Sequence, residues 1–428
     1  MTVSLQMVNR FTLHFANRKK DRSVDVEVKR QQKNMQQKKK HQIQKTQFDE
    51  SKVPNKIQYF DYSLLAIVIF LVCFGLVMLY STSSYSAQVK FGDSMYFFKR
   101  QAIISAGSVG VMLFVSIIHY HWYARLAKLA YWVSFVLMAL VLTPLGVEAY
   151  GARRWIQLPF GQTMQPAEVT KIAVIMFIPL LICKAGKRIK DWEVFGKIFL
   201  WGVAAVAGVY FLTDNLSTAI IVFGMVCIML FVVHPLTAPF VTLAAAASVL
   251  IVIVVKILDV LMDSSSNFRI GRILVWLHPE EYSSEGGFQV LQGLYAIGSG
   301  GFFGKGLGNS AQKMVIPEVQ NDMILAIICE ELGVFGAIVM LTLFGMLLYR
   351  LMFIAQNAPD LYGSLMVTGI FAHIAIQVIL NVCVVLNIIP TTGITLPFVS
   401  YGGTSILFLM VEMGIALGVS GRIKIEES

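Results

Sequence analysis

Charge is what this chain has least of. Asp, Glu, Lys and Arg make up 14% of its 428 residues, against 56% hydrophobic residues. A soluble domain of that make-up would carry more apolar surface than any core can hide, so a soluble globular protein is excluded and a polytopic membrane protein is indicated. Cysteine is scarce as well. The five, Cys73, Cys183, Cys227, Cys329 and Cys383, are odd in number and lie in apolar stretches, which suits small packed hydrophobes rather than a disulfide framework or metal site. Up to about Asp61 there is neither a run long enough to cross a bilayer nor an apolar region followed by a small-residue cleavage site, so a secretory signal is not expected. A nucleotide-binding P-loop is missing too: the glycine-rich run Gly300–Ser310 lacks both a preceding strand and a closing Lys-Ser/Thr, and reads as a tight loop.

What charge there is sits unevenly. Before Asp61 there are 14 Lys and Arg against five Asp and Glu, and from it onward 21 against 20, so +9 of the formal net charge of +10 belongs to the tail. Residues 1–61 read as a basic cytoplasmic tail whose Gln- and Lys-rich centre, Lys29–Lys45, has no apolar heptad seam and is expected to be disordered. A basic tail suits anionic lipid, and with no aromatic or base-reading pattern beside the charge, nucleic acid is not expected as a partner.

After the tail, apolar stretches of spanning length recur near 63–80, 101–118, 126–145, 167–183, 195–212, 217–233, 240–261, 322–349, 362–386 and 403–419. The expected fold is therefore all-α and polytopic, with about ten transmembrane helices in residues 62–420. With the tail inside, Arg125 and Lys128, the cluster Lys184–Lys190, Arg350, and Arg422 with Lys424 all fall on the cytoplasmic side by parity. Both termini are then cytoplasmic, including the short tail 421–428. The opposite face receives 146–165, the turn at Asp214, a long extracytoplasmic loop 262–321 between spans seven and eight, and 388–401.

The unusual residues gather on that outer face. They are Gly151-Ala152-Arg153-Arg154-Trp155, Gln165-Pro166-Ala167-Glu168 with Lys171 one turn on, Arg269 and Arg272, the glycine-rich run with Lys305 and Lys313, and Pro317–Asp322 at the mouth of the eighth span. Cations beside one strong base candidate suit a phosphate-bearing lipid substrate, since Arg and Lys bind a diphosphate while a carboxylate accepts a proton from a hydroxyl nucleophile. Each feature also has a plainer reading. Arg153, Arg154 and Trp155 fit an interfacial belt, Glu168 and Lys171 a structural ion pair, Asp322 a helix N-cap, Glu330 and Glu331 buried structural acids, and His373 a satisfied core histidine.

The strings Gly151–Ile156, Gln165–Lys171, Gly304–Ser310, Pro317–Asp322, Glu330-Glu331-Leu332-Gly333 and Leu396–Ser405 together resemble the SEDS family (shape, elongation, division, sporulation) in the right order over about 61–419. Within it the chain looks most like the cell-division branch, through Tyr80–Ser84, the long basic tail and Gln312-Lys313; the elongation and sporulation branches are close competitors. It departs from the family at Thr213-Asp214-Asn215-Leu216-Ser217, where Asp214 is kept but a proline and a glycine are not, and at Asn321, where threonine is commoner.

The resemblance implies a peptidoglycan glycosyltransferase that polymerises lipid II, the undecaprenyl-diphosphate disaccharide-peptide, on the outer face of a bacterial cytoplasmic membrane, at the septum for a division enzyme. Asp322 falls on the family's catalytic aspartate and Glu168 and Lys171 on its essential fourth-helix pair; Arg153, Arg154, Arg269, Arg272, Lys305, Lys313, Asp214 and Ser400 are candidate binding or supporting residues. No cofactor is required, although a divalent cation (Mg or Mn) bridging diphosphate oxygens is compatible with the chemistry; no carboxylate cluster at ligand spacing demands a metal. The implied partners are a single-span class B penicillin-binding protein and other division-complex membrane proteins, with Gly333, Gly336, Ala337, Gly363 and Gly369 of the eighth and ninth spans as small residues for helix contact. A lipid II flippase and a scaffold are the competing classes. A transporter needs a polar path to both faces, whereas the unusual residues here collect on one.

Overall fold

The computed structural model describes residues 57–149, 152–157, 163–242, 245–246, 248, 253, 268–282 and 286–425. The chain falls into two units, Met1–Ile57 with Lys424–Ser428, and Gln58–Ile423, and all that follows concerns the second. The expected basic tail lies almost wholly outside the described residues.

In chain order the elements are α1 (Tyr62–Phe91), α2 (Tyr96–Ile117), α3 (His121–Leu140), β1 (Gly146–Ala149), β2 (Ala152–Gln157), β3 (Thr163–Met164), α4 (Pro166–Ala185), α5 (Trp192–Thr213), α6 (Leu216–Val233), α7 (Phe268–Leu277), α8 (Gly287–Gly300), α9 (Ile324–Asn357), α10 (Leu361–Val385) and α11 (Ser405–Ser420). Among the described residues eight helices, α1 to α6, α9 and α10, are long and apolar enough to cross a membrane, and α11 is apolar but shorter. The chain is an integral membrane protein. The remaining expected span, 240–261, lies largely outside the described residues.

Local chemistry places the helix ends. The Asp61 side chain accepts the Leu64 N–H at 2.8 Å to start α1, Pro166 occupies the first turn of α4 where its missing N–H costs nothing, Asn215 caps α6, and Asp360 caps α10 through the Gly363 N–H at 2.8 Å. At the end of the bundle away from Asp322, Arg350 grips Asp61 at 2.7 Å and also reaches the Tyr59 hydroxyl. Helix α10 packs against α4, α6, α9 and α11, which makes its face a crossing point for the bundle.

Two expected loops have more structure than their composition suggests. Strands β1, β2 and β3 form a three-stranded antiparallel sheet in that order, with Val147 opposite Trp155 and a bulge between Val147 and Glu148. Within 262–321, helix α8 runs alongside the start of α9 in the same direction, from Gln289 beside Asp322 to Gly300, whose Cα lies against the Cys329 carbonyl and Glu330. Too short to span, α8 and the glycine-rich run form a hairpin laid against the first turns of α9.

That hairpin explains a break in α9. Gly333 has φ 71° and ψ −170°, outside any helix, so the carbonyls of Glu330 and Glu331 and the N–H groups of Val334 and Phe335 lose their helical partners. The loop supplies replacements. Lys305 N and Gly306 N donate to the Glu330 and Glu331 carbonyls at 2.9 Å each, and Val334 N and Phe335 N donate to the Gly301 and Phe302 carbonyls at 3.0 Å each. Inside a membrane every backbone group must find such a partner, so irregular chain is tolerated only where another segment satisfies it. A Cβ at Gly333 would run into the Phe302 carbonyl and the Gly304 nitrogen.

Candidate functional site

Asp322 stands just outside α9, which starts at Ile324 rather than at Asp322 as the hydropathy suggests. It does not cap the helix: Met323 holds that position without a side-chain bond. Its carboxylate instead accepts from the Gln289 amide at 3.4 Å, and its carbonyl accepts from Asn381 at 2.9 Å. The residue is half-buried. Burial pushes its carboxyl above the ordinary range; its own backbone N–H, the Arg272 charge and the Gln289 amide pull against that shift, and Glu318 adds to it.

Of the cations expected to converge on this acid, the structure brings Arg272 to it and Arg154 beside Arg272. Arg272, on α7, acts on Asp322 electrostatically and donates to the Thr391 carbonyl at 3.1 Å. Arg154, on β2, donates to the Asp214 carbonyl at 3.1 Å and lies close enough to Arg272 that, with burial the larger cause, the two guanidiniums repel. Asp214 is held at φ 47°, a left-handed turn that Asp tolerates, with Asn215 capping the next helix; this pair does the work of the absent proline and glycine.

The other candidates are engaged elsewhere. Arg153 is exposed and meets Glu148 at 3.4 Å. Lys305 bonds Glu330 at 2.7 Å and Ser299 at 2.8 Å, and Lys313 bonds Glu331 at 3.3 Å and the Gly308 carbonyl at 2.6 Å. These lysines hold the hairpin on the broken helix rather than gathering at Asp322. Glu330 also takes Ser310 and the Ala311 N–H, and Glu331 takes Ser81 of α1, so both acids are fully buried and paired, as the structural reading expects. The side chain of Arg269 lies outside the described residues.

Glu168 and Lys171 do pair, at 2.9 Å, deep in the protein. Lys171 is 3% exposed in its side chain and its Nζ also lies 2.9 Å from His373 Nε2. His373 Nδ1 meets Glu412 at 2.7 Å and its Nε2 meets Gln377 at 2.8 Å. Two carboxylates, an ammonium and an imidazole thus make one buried cluster on α4, α10 and α11. Ser400 accepts the Leu396 N–H at 2.9 Å and lines a small polar cavity with Glu168, Gln377 and Ser405. Among the described residues no three His, Cys, Asp or Glu side chains gather as metal ligands.

Sequence reasoning missed Gln289, Gln377, Asn381 and Glu412. A signal existed for three of them: His373, Gln377 and Asn381 recur every fourth residue along an otherwise apolar helix, and Glu412 is the one acid in α11.

The family model described as cell cycle protein, covering FtsW, RodA and SpoVE, matches residues 62–424. The chain belongs to the FtsW/RodA/SpoVE family. It is 39% identical to the stage V sporulation protein E of Bacillus subtilis over 84% of this chain and 96% of that one, and 36% identical to the probable peptidoglycan glycosyltransferase FtsW of Trichlorobacter lovleyi over 87% and 96%. Among solved structures it is similar to a chain in a peptidoglycan synthase complex that coordinates polymerization and crosslinking (TM-score 0.68, 27% identity, 84% of this chain and 97% of that chain). It is also similar to the rod shape determining protein RodA of Thermus thermophilus (TM-score 0.59, 26% identity, 84% and 96%). As a family member the chain shares their bundle, with the site above at one end of it.

Proposed function

We propose that this protein is a peptidoglycan glycosyltransferase that polymerises lipid II on the outer face of a bacterial cytoplasmic membrane, with Asp322 as general base. The observation that carries the reading is the half-buried Asp322 carboxylate, raised by burial toward a useful basicity, with Arg272 beside it and Arg154 behind. The 4-hydroxyl oxygen of the acceptor's terminal N-acetylglucosamine attacks the anomeric carbon of the donor's N-acetylmuramic acid. The bond from that carbon to the diphosphate oxygen breaks, the lipid diphosphate leaves carrying the electron pair, and Asp322 takes the hydroxyl proton. A single displacement turns the α linkage into β without a covalent enzyme intermediate. Arg272 and Arg154 balance the charge that develops on the leaving diphosphate, and a divalent cation bound to the diphosphate would share that task.

The family relationship supports a single-span class B penicillin-binding protein as partner, a septal location beside other division proteins, and cytoplasmic termini. A sporulation role for the same reaction is the second reading, favoured by the 39% identity to the stage V sporulation protein E. The flippase reading fits less well, because the buried charges Glu168, Lys171, His373 and Glu412 are spent on one another rather than lining a path.

The test is glycan synthesis from purified lipid II. Asp322→Asn keeps size and the Gln289 contact region but removes the base, and is expected to fold, to bind its partner and to make no chains. Polymerisation at the normal rate by that variant would sink the assignment.

A further inference from the structure

We infer that Asn381 is a positioning residue for Asp322, fixing the base through its main chain and tying it to the same segment that holds Arg272. The inference rests on the glycosyl-transfer reading above and extends it to a side chain that acts through another.

Asn381 is fully buried on α10, and both of its amide hydrogens are committed. Nδ2 donates to the Asp322 carbonyl at 2.9 Å and to the Ile394 carbonyl at 2.8 Å. Those carbonyls belong to separate stretches of chain, the loop that carries the base and the irregular segment Thr391–Thr395. That segment is a hub, four of whose five carbonyls are taken by side chains from other elements. Arg272 takes Thr391 at 3.1 Å, Ser217 of α6 takes Thr392 at 2.7 Å, Asn381 takes Ile394, and Gln377 takes Thr395 at 2.9 Å. One short segment therefore sets the position of the cation through Thr391 and of the base through Ile394 and Asn381. The distance between proton acceptor and leaving-group cation is fixed by two side-chain hydrogen bonds to it.

A second observation separates this from ordinary packing. Among the described residues Asn381 Oδ1 is buried without a hydrogen-bond partner, so this side chain is oriented by its two N–H donors alone. Asn381 is also the last rung of a ladder with Gln377 and His373, spaced by one helical turn, so the same face of α10 joins the Glu168–Lys171–His373–Glu412 cluster to the base.

The groups facing Asp322 are Gln289 from α8, Arg272 from α7 and Glu318 of its own loop, with Arg154 of β2 acting on Arg272. Without the Asn381 anchor the Asp322 main chain is free to relax toward water. Its carboxyl then loses part of the burial that lifts it, and its oxygen leaves the line of proton transfer.

The experiment measures lipid II polymerisation by the full-length protein across a pH series, for wild type, Asn381→Ala, Asn381→Ser and Asp322→Asn. For Asn381→Ala the maximal rate is expected to fall about tenfold or more, the order reached when a reacting group is misplaced by a fraction of an ångström to one ångström. The acid limb of its profile is expected to move to lower pH, as Asp322 returns toward the ordinary carboxylate range. Asn381→Ser, which donates to one carbonyl only, should shift both quantities less. Loss of folded protein alone would lower the rate by one factor at every pH and leave the limb in place, and that outcome overturns the inference, as does a wild-type rate and limb. Should Asn381→Ala fail to fold, the serine variant is read by the same rule. Asp322→Asn keeps the two failures apart: chains made by it overturn the glycosyl-transfer reading itself, whereas an inert Asp322→Asn beside an unmoved limb in the Asn381 variants overturns only the positioning role.

Discussion

Arg272 lowers the Asp322 carboxyl while burial raises it, so the two residues can be separated by the sign of a pH shift. Arg272→Gln removes the opposing charge, and the Asp322 carboxyl should then rise further. The base is ionised only above its own pKa, so the acid limb of polymerisation is expected to move to higher pH, opposite to the Asn381 variants, with the plateau falling about 10²-fold from loss of the cation at the leaving group. A limb that moves down or stays would refute this electrostatic coupling. Charges were the legible part of the site. Asp322, Glu168 and Lys171 stand out in sequence because an acid or a base among apolar residues is costly and calls for a reason. Gln289 and Asn381 carry no charge, so only the folded chain shows which carbonyl or carboxylate they serve. Lys171 shows the limit of a charge without its surroundings: its residue type suits a diphosphate, but it is enclosed by Glu168 and His373. Lys171→Met should strand Glu168 at a cost of about 3–5 kcal/mol, seen as a lower melting temperature, and the double change Glu168→Gln with Lys171→Met should recover both stability and glycan synthesis. Stability regained without activity would return Lys171 to the substrate.

At the scale of elements, the glycine-rich run and the broken α9 are one feature. Read as sequence, Gly300–Ser310 is a loop and Glu330-Glu331 a pair of buried acids; hydropathy alone shows no break at Gly333, because an apolar stretch stays apolar through a glycine. The reason for the break lies in backbone pairing between segments distant in sequence, which no local pattern records. The strands of 146–164 escaped for a similar reason, since β1, β2 and β3 are too short for their alternation to rise above that of a loop. Gly333→Ala should therefore cost more than a helix glycine usually does. Alanine at φ 71° is strained by about 1–3 kcal/mol, and its Cβ also displaces the Phe302 carbonyl from Phe335 N. The expected result is a clear drop in melting temperature, with faster amide exchange confined to 301–306 and 330–335. An unchanged melting temperature would mean that the loop does not depend on the break.

For the whole molecule, the spans were legible because length and apolarity are sufficient to define them, and the family motifs fell on the structural features that assemble the site. Which face of each helix turns inward was not legible, because in lipid both faces of a helix are apolar and hydrophobic periodicity vanishes. The partner contact shows the consequence. Gly363 and Gly369 look like small residues offered to another protein's helix, yet in the bundle Gly363 packs on Tyr120 and Val419, and Gly369 on Met229 and Ile175. Gly333 and Gly336 are buried as well, Gly333 against the hairpin. Gly363 and Gly369 serve the internal packing of α10 against α4, α6 and α11, so those two cannot serve as a partner surface without the fold opening. Gly369→Leu forces a large side chain between Met229 and Ile175 and should cost about 1–3 kcal/mol or more by overpacking. Its melting temperature is expected to fall, and any loss of co-purification with a transpeptidase should track that fall across a series of Ala, Val and Leu at the same position. A series in which binding is lost while the melting temperature holds would place the partner against Gly369 after all, and would require α10 to turn in the complex.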